Sequence, residues 1–152
     1  ALAPDIVVGA KGKKSWKLYE TTFHELAHSM HFKKVGKNYW NKYIDGIIEL
    51  RNKGLYGYSD KDSPFSGYIG VGETWGCAMG YYMANKKFGT NKFTSVSYWY
   101  MPESTYDQIT NNPKITPLKF LSCMTSSCVD LHTLNVYLTS CDNDISRTLY
   151  VK

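Results

Sequence analysis

The residues whose types and spacing could do chemistry lie in one short stretch, His24-Glu25-Leu26-Ala27-His28. On a helix, residues i and i+4 lie about 6 Å apart along the axis and point to nearly the same side, so the two imidazoles could bind one tetrahedral Zn²⁺. Glu25 lies beside the pair, where its carboxylate could take a proton from a water molecule held by the metal. The pattern H-E-x-x-H therefore predicts a catalytic zinc site.

A catalytic zinc usually has three protein ligands and one open position, so the histidine pair needs a partner. The first candidate is Glu73, which the sequence places in the first turn of a later helix. The same face of that helix carries the small residues Gly76, Cys77 and Gly80, which would let two helices approach closely. A glutamate favoured by the dipole at a helix N-terminus is the structural alternative, but it does not explain the small face.

The other candidate ligands are weaker. Asp60 and Asp62, in the loop before the Glu73 helix, are reserve ligands, and they could equally be solvated loop residues. His31 lies about 10 Å from His24 along the helix axis, which is too far for both to bind one ion at ~2 Å. We expect His31 to lie next to the ligands or at the surface. His132 is a lone histidine on the last predicted helix, and we expect it to be structural.

The elements that must position these residues are mainly helices. Ser15 caps the helix that carries the H-E-x-x-H motif, and Gly36 ends it. Further helices are predicted at 38–54, 72–88, 102–110 and 116–124, and a last one follows a capping box formed by Ser127 and Asp130. Residues 5–9 predict a strand, 92–100 are weakly extended, and 54–70 form a long loop of a kind that is often functional. The predicted fold class is mainly α, within an α+β arrangement.

Composition limits the classes of protein that remain. With 152 residues and 43% hydrophobic residues, the chain can form one domain with its own core. The net charge of +5 comes from lysines spread over several segments and no nucleic-acid motif accompanies them, so we exclude nucleic-acid binding. No apolar run is long enough to cross a membrane.

The ends and the cysteines bear on where the protein works. The chain opens Ala1-Leu2-Ala3-Pro4 without Met, which indicates a processed or excised piece, and we expect it to act outside the cytoplasm, as a secreted, periplasmic or cell-surface protein. Four cysteines are too few and too irregularly spaced for a disulfide scaffold. Cys123 and Cys128 could form a disulfide, and free buried thiols are an equally good interpretation.

Two segments of this chain resemble the zincin metallopeptidases, in particular their gluzincin branch. Residues 22–31 look like the active-site helix of that family, and residues 72–80 look like its Glu-bearing helix, so the resemblance covers roughly residues 15–88. It implies hydrolysis of a protein or peptide substrate with Zn²⁺ as cofactor. It also implies that His24, His28 and Glu73 would bind zinc and that Glu25 would be the general base and acid.

The chain departs from this family in two respects. The thermolysin-like branch carries an Asp four residues after the glutamate ligand, and here that position is Cys77. Zincins usually have a sheet-bearing subdomain upstream of the motif, whereas only 23 residues precede His24. We therefore predict a single zincin-like domain over residues 1–152, with its N-terminal sheet missing or reduced, as the C-terminal part of a longer protein.

The family's chemistry predicts further roles. Zinc would polarise the scissile carbonyl and lower the pKa of water towards ~7, and Glu25 would carry the proton to the leaving amine. Similar enzymes often use a Tyr or His to stabilise the oxyanion, and we assign this role to Tyr68, with a packed loop anchor as the alternative. A non-catalytic binding or surface-interaction domain with a zincin fold is the second hypothesis, which the intact Glu25 disfavours. An accidental H-E-x-x-H in a helical domain is the third, which Glu73 and its small helix face disfavour.

Overall fold

A computed structural model describes residues 8–56, 58, 60–89, 99–100 and 116–141. These residues form five α-helices and no strand, which confirms the mainly α prediction. The helices are α1 (Ser15–Val35), α2 (Lys37–Asn52), α3 (Ser66–Phe88), α4 (Pro117–Cys123) and α5 (Leu131–Cys141). In the described part of the chain, none of these helices is long and apolar enough to cross a membrane. The strand predicted at 5–9, the extended stretch at 92–100 and the helix at 102–110 lie wholly or mostly outside the described residues.

Helix α3 is the centre of the described fold, and α1, α2 and α5 pack against it. Its side chains are buried on every face from Ile69 to Ala78. Trp75 joins α3 to two neighbours, because its Nε1 donates a hydrogen bond to the Ala27 carbonyl at 2.8 Å and its ring stacks on Phe120 at 5.4 Å. The α1–α3 contact is the most extensive, so these two helices form the rigid pair on which a site could be built.

Helix α3 begins at Ser66, six residues earlier than the predicted start at 72, so the end of the predicted loop is helical. The glycines in this turn allow close packing. A Cβ at Gly67 would lie 2.4 Å from the Val129 carbonyl oxygen, and one at Gly70 would lie 2.8 Å from the Trp99 ring. The composition of residues 66–70 indicated a loop, because a glycine that is needed for close packing of a helix cannot be distinguished in sequence from a glycine that is needed for a turn.

This earlier start changes the position of Glu73. Counted from Ser66, Glu73 is the eighth residue of α3 instead of a residue in its first turn. The field of the helix N-terminus falls off within the first turn, so it does not account for a carboxylate at this depth. The prediction that Glu73 lies in the first turn is wrong, and the dipole alternative is excluded with it.

Side chains cap the last two helices by accepting hydrogen bonds from the first backbone N–H groups. The Thr116 hydroxyl accepts a hydrogen bond from the Lys119 N–H at 3.2 Å, which confirms the predicted start of α4. At α5 the capping box joins Asp130 and Thr133. The Asp130 carboxylate accepts from the Thr133 N–H at 2.7 Å, and the Thr133 hydroxyl accepts from the Asp130 N–H at 3.0 Å. The predicted box of Ser127 with Asp130 is therefore wrong by three residues, because Asp130 immediately precedes the helix.

The buried face of α1 is more polar than its apolar pattern indicated. Glu20 and His31 are buried together with Ala27, whereas Leu26 and Met30 are about two-fifths exposed. Buried polar groups need partners, so the face of α1 that packs against α3 must do more than bury apolar surface.

The cysteines differ in state. Cys123 is disulfide-bonded, whereas Cys77 and Cys128 are free and buried. A bridge between Cys123 and Cys128 is therefore wrong. The Cys128 thiol instead contacts the Cys123 carbonyl oxygen at 3.6 Å, and the Tyr39 hydroxyl donates to the Cys128 carbonyl at 2.7 Å, which joins α2 to the segment before α5.

Candidate metal centre

The two histidines of the motif point to one side of α1. Their Nε2 atoms lie 3.0 Å apart, which is the close approach that the i, i+4 spacing predicted. Both side chains are mostly buried, so the pair faces the interior between the helices.

Glu73 completes a triangle with the two histidines. Its Oε2 lies 3.3 Å from His24 Nε2, and its Oε1 lies 3.4 Å from His28 Nε2. The carboxylate is 3% exposed, so its charge must be balanced by the groups around it. The structure therefore brings together the three residues that the sequence predicted as ligands, as one group that could hold a metal ion.

The small face of α3 is what allows this approach. A Cβ at Gly76 would lie 2.8 Å from His24 Cε1, and a Cβ at Gly80 would lie 2.7 Å from the Glu20 carbonyl oxygen. Both distances are too short for real carbon contacts, so only glycine fits at either position. The predicted function of the small face, to let α1 and α3 approach closely, is confirmed.

The donor atoms suit a tetrahedral ion. Zinc held by nitrogen and oxygen ligands at about 2.0–2.1 Å requires neighbouring ligand atoms to lie roughly 3.3–3.4 Å apart. The two histidine Nε2 atoms lie 3.0 Å apart, and each lies 3.3 or 3.4 Å from a different oxygen of the carboxylate. With one donor atom taken from each residue, all three lie within 4.8 Å of one another. Imidazole nitrogens and a carboxylate oxygen suit zinc and also other divalent transition metals, so the group could hold an ion of this class.

Opposite charges stabilise the triangle when it holds no ion. Burial alone would raise the pKa of Glu73, but its hydrogen bonds to His24 and His28 outweigh burial and hold that pKa well below the usual range. Burial alone would lower the pKa of His24, but hydrogen bonds to Cys77 and to Glu73 raise it well above 6.5. A metal ion would therefore take the place of the positive charge that His24 otherwise carries beside Glu73.

Side chains behind the triangle fix its members. The Tyr43 hydroxyl on α2 donates a hydrogen bond to Glu73 Oε1, and burial together with the Glu73 charge raises the pKa of Tyr43 well above its ordinary value. Cys77, one turn after Glu73, is hydrogen-bonded to His24. The Trp40 ring packs edge-on against the His28 ring, with centroids 5.5 Å apart. Tyr43 was not singled out from the sequence, because on α2 it is one of several aromatic residues that repeat with helical spacing.

A cleft of about 410 Å³ opens beside two members of the triangle, His24 and Glu73. Its wall also contains Glu25, as the predicted role of Glu25 requires. Tyr58, from the loop between α2 and α3, also lines it. Burial raises the pKa of Tyr58, and the charges of Glu73 and Glu25 raise it further, which places its hydroxyl in the field of both carboxylates. Nothing in the sequence distinguishes Tyr58 from the other tyrosines of its loop.

Tyr68 lies elsewhere. Its hydroxyl accepts a hydrogen bond from Lys42 Nζ at 3.0 Å, and its ring packs on Tyr39 with centroids 4.8 Å apart. It lines a second cavity, beside Phe65 and Leu131, and is not among the described residues that line the cleft. The structure thus does not bring Tyr68 to the metal centre.

The remaining candidates also lie apart from the triangle. Asp60 Oδ1 accepts a hydrogen bond from the Asp62 backbone N–H at 2.9 Å, so Asp60 caps a local turn. Neither aspartate belongs to the group of possible ligands in the described part of the chain. His132 is exposed on α5.

His31 is fully buried behind the ligands and does not reach the surface. Its ring contacts Tyr39 and Trp40, with centroids 5.1 and 5.7 Å away. Burial lowers the pKa of His31 to about 3, helped by the neighbouring His28, so the ring is neutral at physiological pH. Of the two positions expected for His31, the one next to the ligands is correct.

Comparison of this chain with protein-family models, with curated proteins and with solved structures gives no match. Any function must therefore be inferred from the chemistry of the site.

Proposed function

We propose that the protein is a zinc-dependent metallopeptidase with a zincin-like domain, in which His24, His28 and Glu73 hold the metal in the gluzincin manner. The observation that carries the proposal is the group of possible donor atoms from His24, His28 and Glu73, which lie within 4.8 Å of one another beside a cleft that also contains Glu25. A catalytic zinc needs three protein ligands and an open side, and this arrangement supplies both.

Bound Zn²⁺ would supply Lewis acidity, polarising a carbonyl and bringing the pKa of water near ~7. The chain's own residues prepare the site for it. The Glu73 charge offsets much of the ion's charge in a buried place, and the hydrogen bond from Tyr43 fixes one carboxylate oxygen. Because the supporting groups Tyr43, Trp40 and Cys77 lie on α2 and α3, the ligand side chains are held in position by contacts beyond the H-E-x-x-H helix itself.

Glu25 is the proton carrier in this proposal. It lines the cleft beside His24 and Glu73 and does not belong to the group of possible ligands. A carboxylate there can take a proton from the attacking water and deliver it to the nitrogen of the leaving amine. A domain that only bound a partner would not need a carboxylate at this position.

Tyr58 replaces Tyr68 as the proposed stabiliser of the oxyanion. Its hydroxyl lies in the same cleft as Glu25 and Glu73, and its raised pKa keeps it protonated and able to donate. A hydrogen bond to developing negative charge on a carbonyl oxygen is typically one of the larger contributions to such a reaction.

The surroundings fit a peptide substrate and an oxidising compartment. A cleft of about 410 Å³ can hold a short stretch of extended chain, and tyrosines form much of its wall. The disulfide at Cys123 is typical of proteins that work outside the cytoplasm, so we propose an extracytoplasmic location.

The test is Glu25→Gln, assayed on an unstructured protein substrate together with zinc content. The amide cannot accept the proton, so kcat should fall by about 10²–10⁴-fold while zinc content stays equal to that of the parent. Glu49→Gln is the matched control, because Glu49 is on the outer part of α2 in an ion pair with Lys53 at 2.7 Å. Activity in Glu25→Gln equal to that of the parent would rule out the mechanism. A parent that binds zinc and hydrolyses nothing would favour the non-catalytic binding domain.

A further inference from the structure

Three neighbouring side chains behind the metal centre have buried polar atoms without a partner among the described residues. These atoms are Nδ1 of His28, both ring nitrogens of His31, and Nε1 of Trp40. The Trp40 ring lies 5.5 Å from the His28 ring and 5.7 Å from the His31 ring, so the three side chains form one cluster. Buried polar groups nearly always have a hydrogen-bond partner in the protein or in ordered water. A cluster of four such atoms beside a candidate metal ligand therefore indicates that ordered water is their partner.

The tautomer of His28 follows from its orientation. Its Nε2 faces His24 and Glu73, at 3.0 and 3.4 Å, and is the atom that would bind the ion. A neutral imidazole that binds a metal through Nε2 carries its proton on Nδ1. Metal-binding histidines almost always donate that second N–H to an acceptor, which fixes the plane of the ring.

The acceptor can be found by elimination within the cluster. The Nδ1–H of His28 and the Nε1–H of Trp40 are both donors, and the indole has no acceptor. A neutral imidazole has one acceptor nitrogen, and His31 is neutral because it is fully buried among aromatic rings. His31 is therefore the side chain of the cluster that can accept.

We propose that His31 is the positioning residue for the metal ligand His28, accepting the hydrogen bond of its Nδ1–H through one buried water that also accepts from Trp40. The two histidines are not joined by a direct hydrogen bond, so the link needs a bridging molecule. Such a water would have three protein partners, which is the usual number for buried water. This inference rests on the proposed metal centre, and it assigns a function to a histidine that the ligand set leaves unused.

Metal affinity of two substitutions at position 31 tests the role of the acceptor. His31→Leu removes it and fills much of the same space, and His31→Gln keeps an acceptor oxygen. We expect the dissociation constants for Zn²⁺ and Co²⁺ to rise about 10–100-fold in His31→Leu and to stay within about fivefold of the parent in His31→Gln. His132→Leu is the matched control, because His132 is an exposed histidine on α5, and its affinity should equal that of the parent. His31→Leu binding within about fivefold of the parent, or His31→Gln binding as weakly as His31→Leu, would overturn the proposal.

A second measurement uses the unsubstituted protein, so it does not depend on whether any variant folds. In the Co²⁺-loaded protein the Nδ1–H protons of bound histidines give proton NMR signals shifted far outside the normal range. We expect the His28 signal to exchange slowly with solvent, because the proton is buried and hydrogen-bonded. Loss of that signal within the dead time after transfer to D₂O would overturn the proposal while leaving the metal centre intact. A parent that takes up no cobalt or zinc would instead overturn the metal centre, and this inference with it.

Discussion

At the scale of single residues, Glu73 is the group on which the site depends. It is a carboxylate with 3% exposure in the middle of the most buried helix, and two imidazoles and one phenol contact its oxygens. Removing one partner from a buried charge is strongly destabilising, because the remaining charge has no compensation. The contribution of each partner of Glu73 can therefore be measured with a substitution that removes a single polar group.

Tyr43→Phe removes a single oxygen from this set. Without the hydroxyl, Glu73 Oε1 loses its fixed donor and the carboxylate can turn, so we expect zinc affinity to fall by about tenfold or more. Tyr39→Phe is the control, since Tyr39 is also a buried tyrosine of α2 but donates to the Cys128 carbonyl. It should lose stability and keep its zinc affinity. Equal zinc affinity in Tyr43→Phe and the parent would contradict the supporting function of this hydroxyl.

The Glu73–His24 pair also predicts how stability of the metal-free protein depends on pH. The lowered pKa of Glu73 contributes stability that is complete above its ordinary value of 4.5 and is lost as the pH falls. The raised pKa of His24 contributes stability that is complete below its ordinary value of 6.5 and is lost as the pH rises through the raised value. Both contributions are complete only between these two limits.

We therefore expect the difference in unfolding free energy between the parent and Glu73→Gln to be largest between pH 4.5 and 6.5 and smaller on either side. Urea unfolding across the pH range, in the presence of a chelator, measures it. Taking the difference between the two proteins cancels the contributions of other titrating groups, including the neutral His31, which favours unfolding in acid. A difference that did not change with pH would show that Glu73 and His24 do not form a charged pair.

At the scale of elements, the site depends on how closely α1 and α3 approach. Gly76 lies against the His24 ring and Gly80 lies against the backbone of Glu20, so the distance between the two helices is set by the absence of side chains. Interiors are close-packed and do not absorb an extra carbon atom without movement. A methyl group added at this contact must displace a ligand or a helix.

Gly76→Ala tests this contact. The new Cβ would meet the His24 ring at 2.8–3.0 Å, so we expect the ring to shift, zinc affinity to fall at least tenfold, and stability to fall by about 1–3 kcal/mol. Gly9→Ala is the control, because a Cβ at Gly9 meets no atom within 4 Å. Its metal affinity and melting temperature should match those of the parent. Full zinc affinity in Gly76→Ala would mean that the two helices can separate without disturbing the ligands.

At the scale of the whole molecule, the three candidate metal ligands could be predicted from the sequence, but the residues that support them could not. The pair His24 and His28 follows from helical spacing alone, and Glu73 follows from the small residues on its helix. Tyr43 and Tyr58 could not be found in this way, because an aromatic residue at a helical or loop position looks the same whether it packs or donates. Their positions near the carboxylates are visible only in three dimensions: Tyr43 donates a hydrogen bond to Glu73, and Tyr58 lies in the field of Glu73 and Glu25.

Where a helix begins also depends on contacts between residues that are far apart in sequence. Helix α3 extends back to Ser66 because Gly67 and Gly70 pack against Val129 and Trp99, which are far away along the chain. The capping box of α5 is a different case. Ser127 with Asp130 and Asp130 with Thr133 have the same three-residue spacing, so the pattern alone does not show which pair caps the helix, and the hydrogen bonds place the box at Asp130 and Thr133.

The atoms around bound zinc provide the most direct test of the proposed metal centre. The protein should be purified, loaded with one equivalent of Zn²⁺ and measured by X-ray absorption at the zinc edge. We expect one tightly bound zinc per chain, with only nitrogen and oxygen ligands at about 2.0–2.1 Å, two of which show the scattering pattern of imidazole. In Glu73→Ala the tight binding should be lost. A sulfur ligand at about 2.3 Å would mean that the free Cys77 thiol had replaced Glu73, and a protein that takes up no zinc would contradict the metal centre and the proposed function with it.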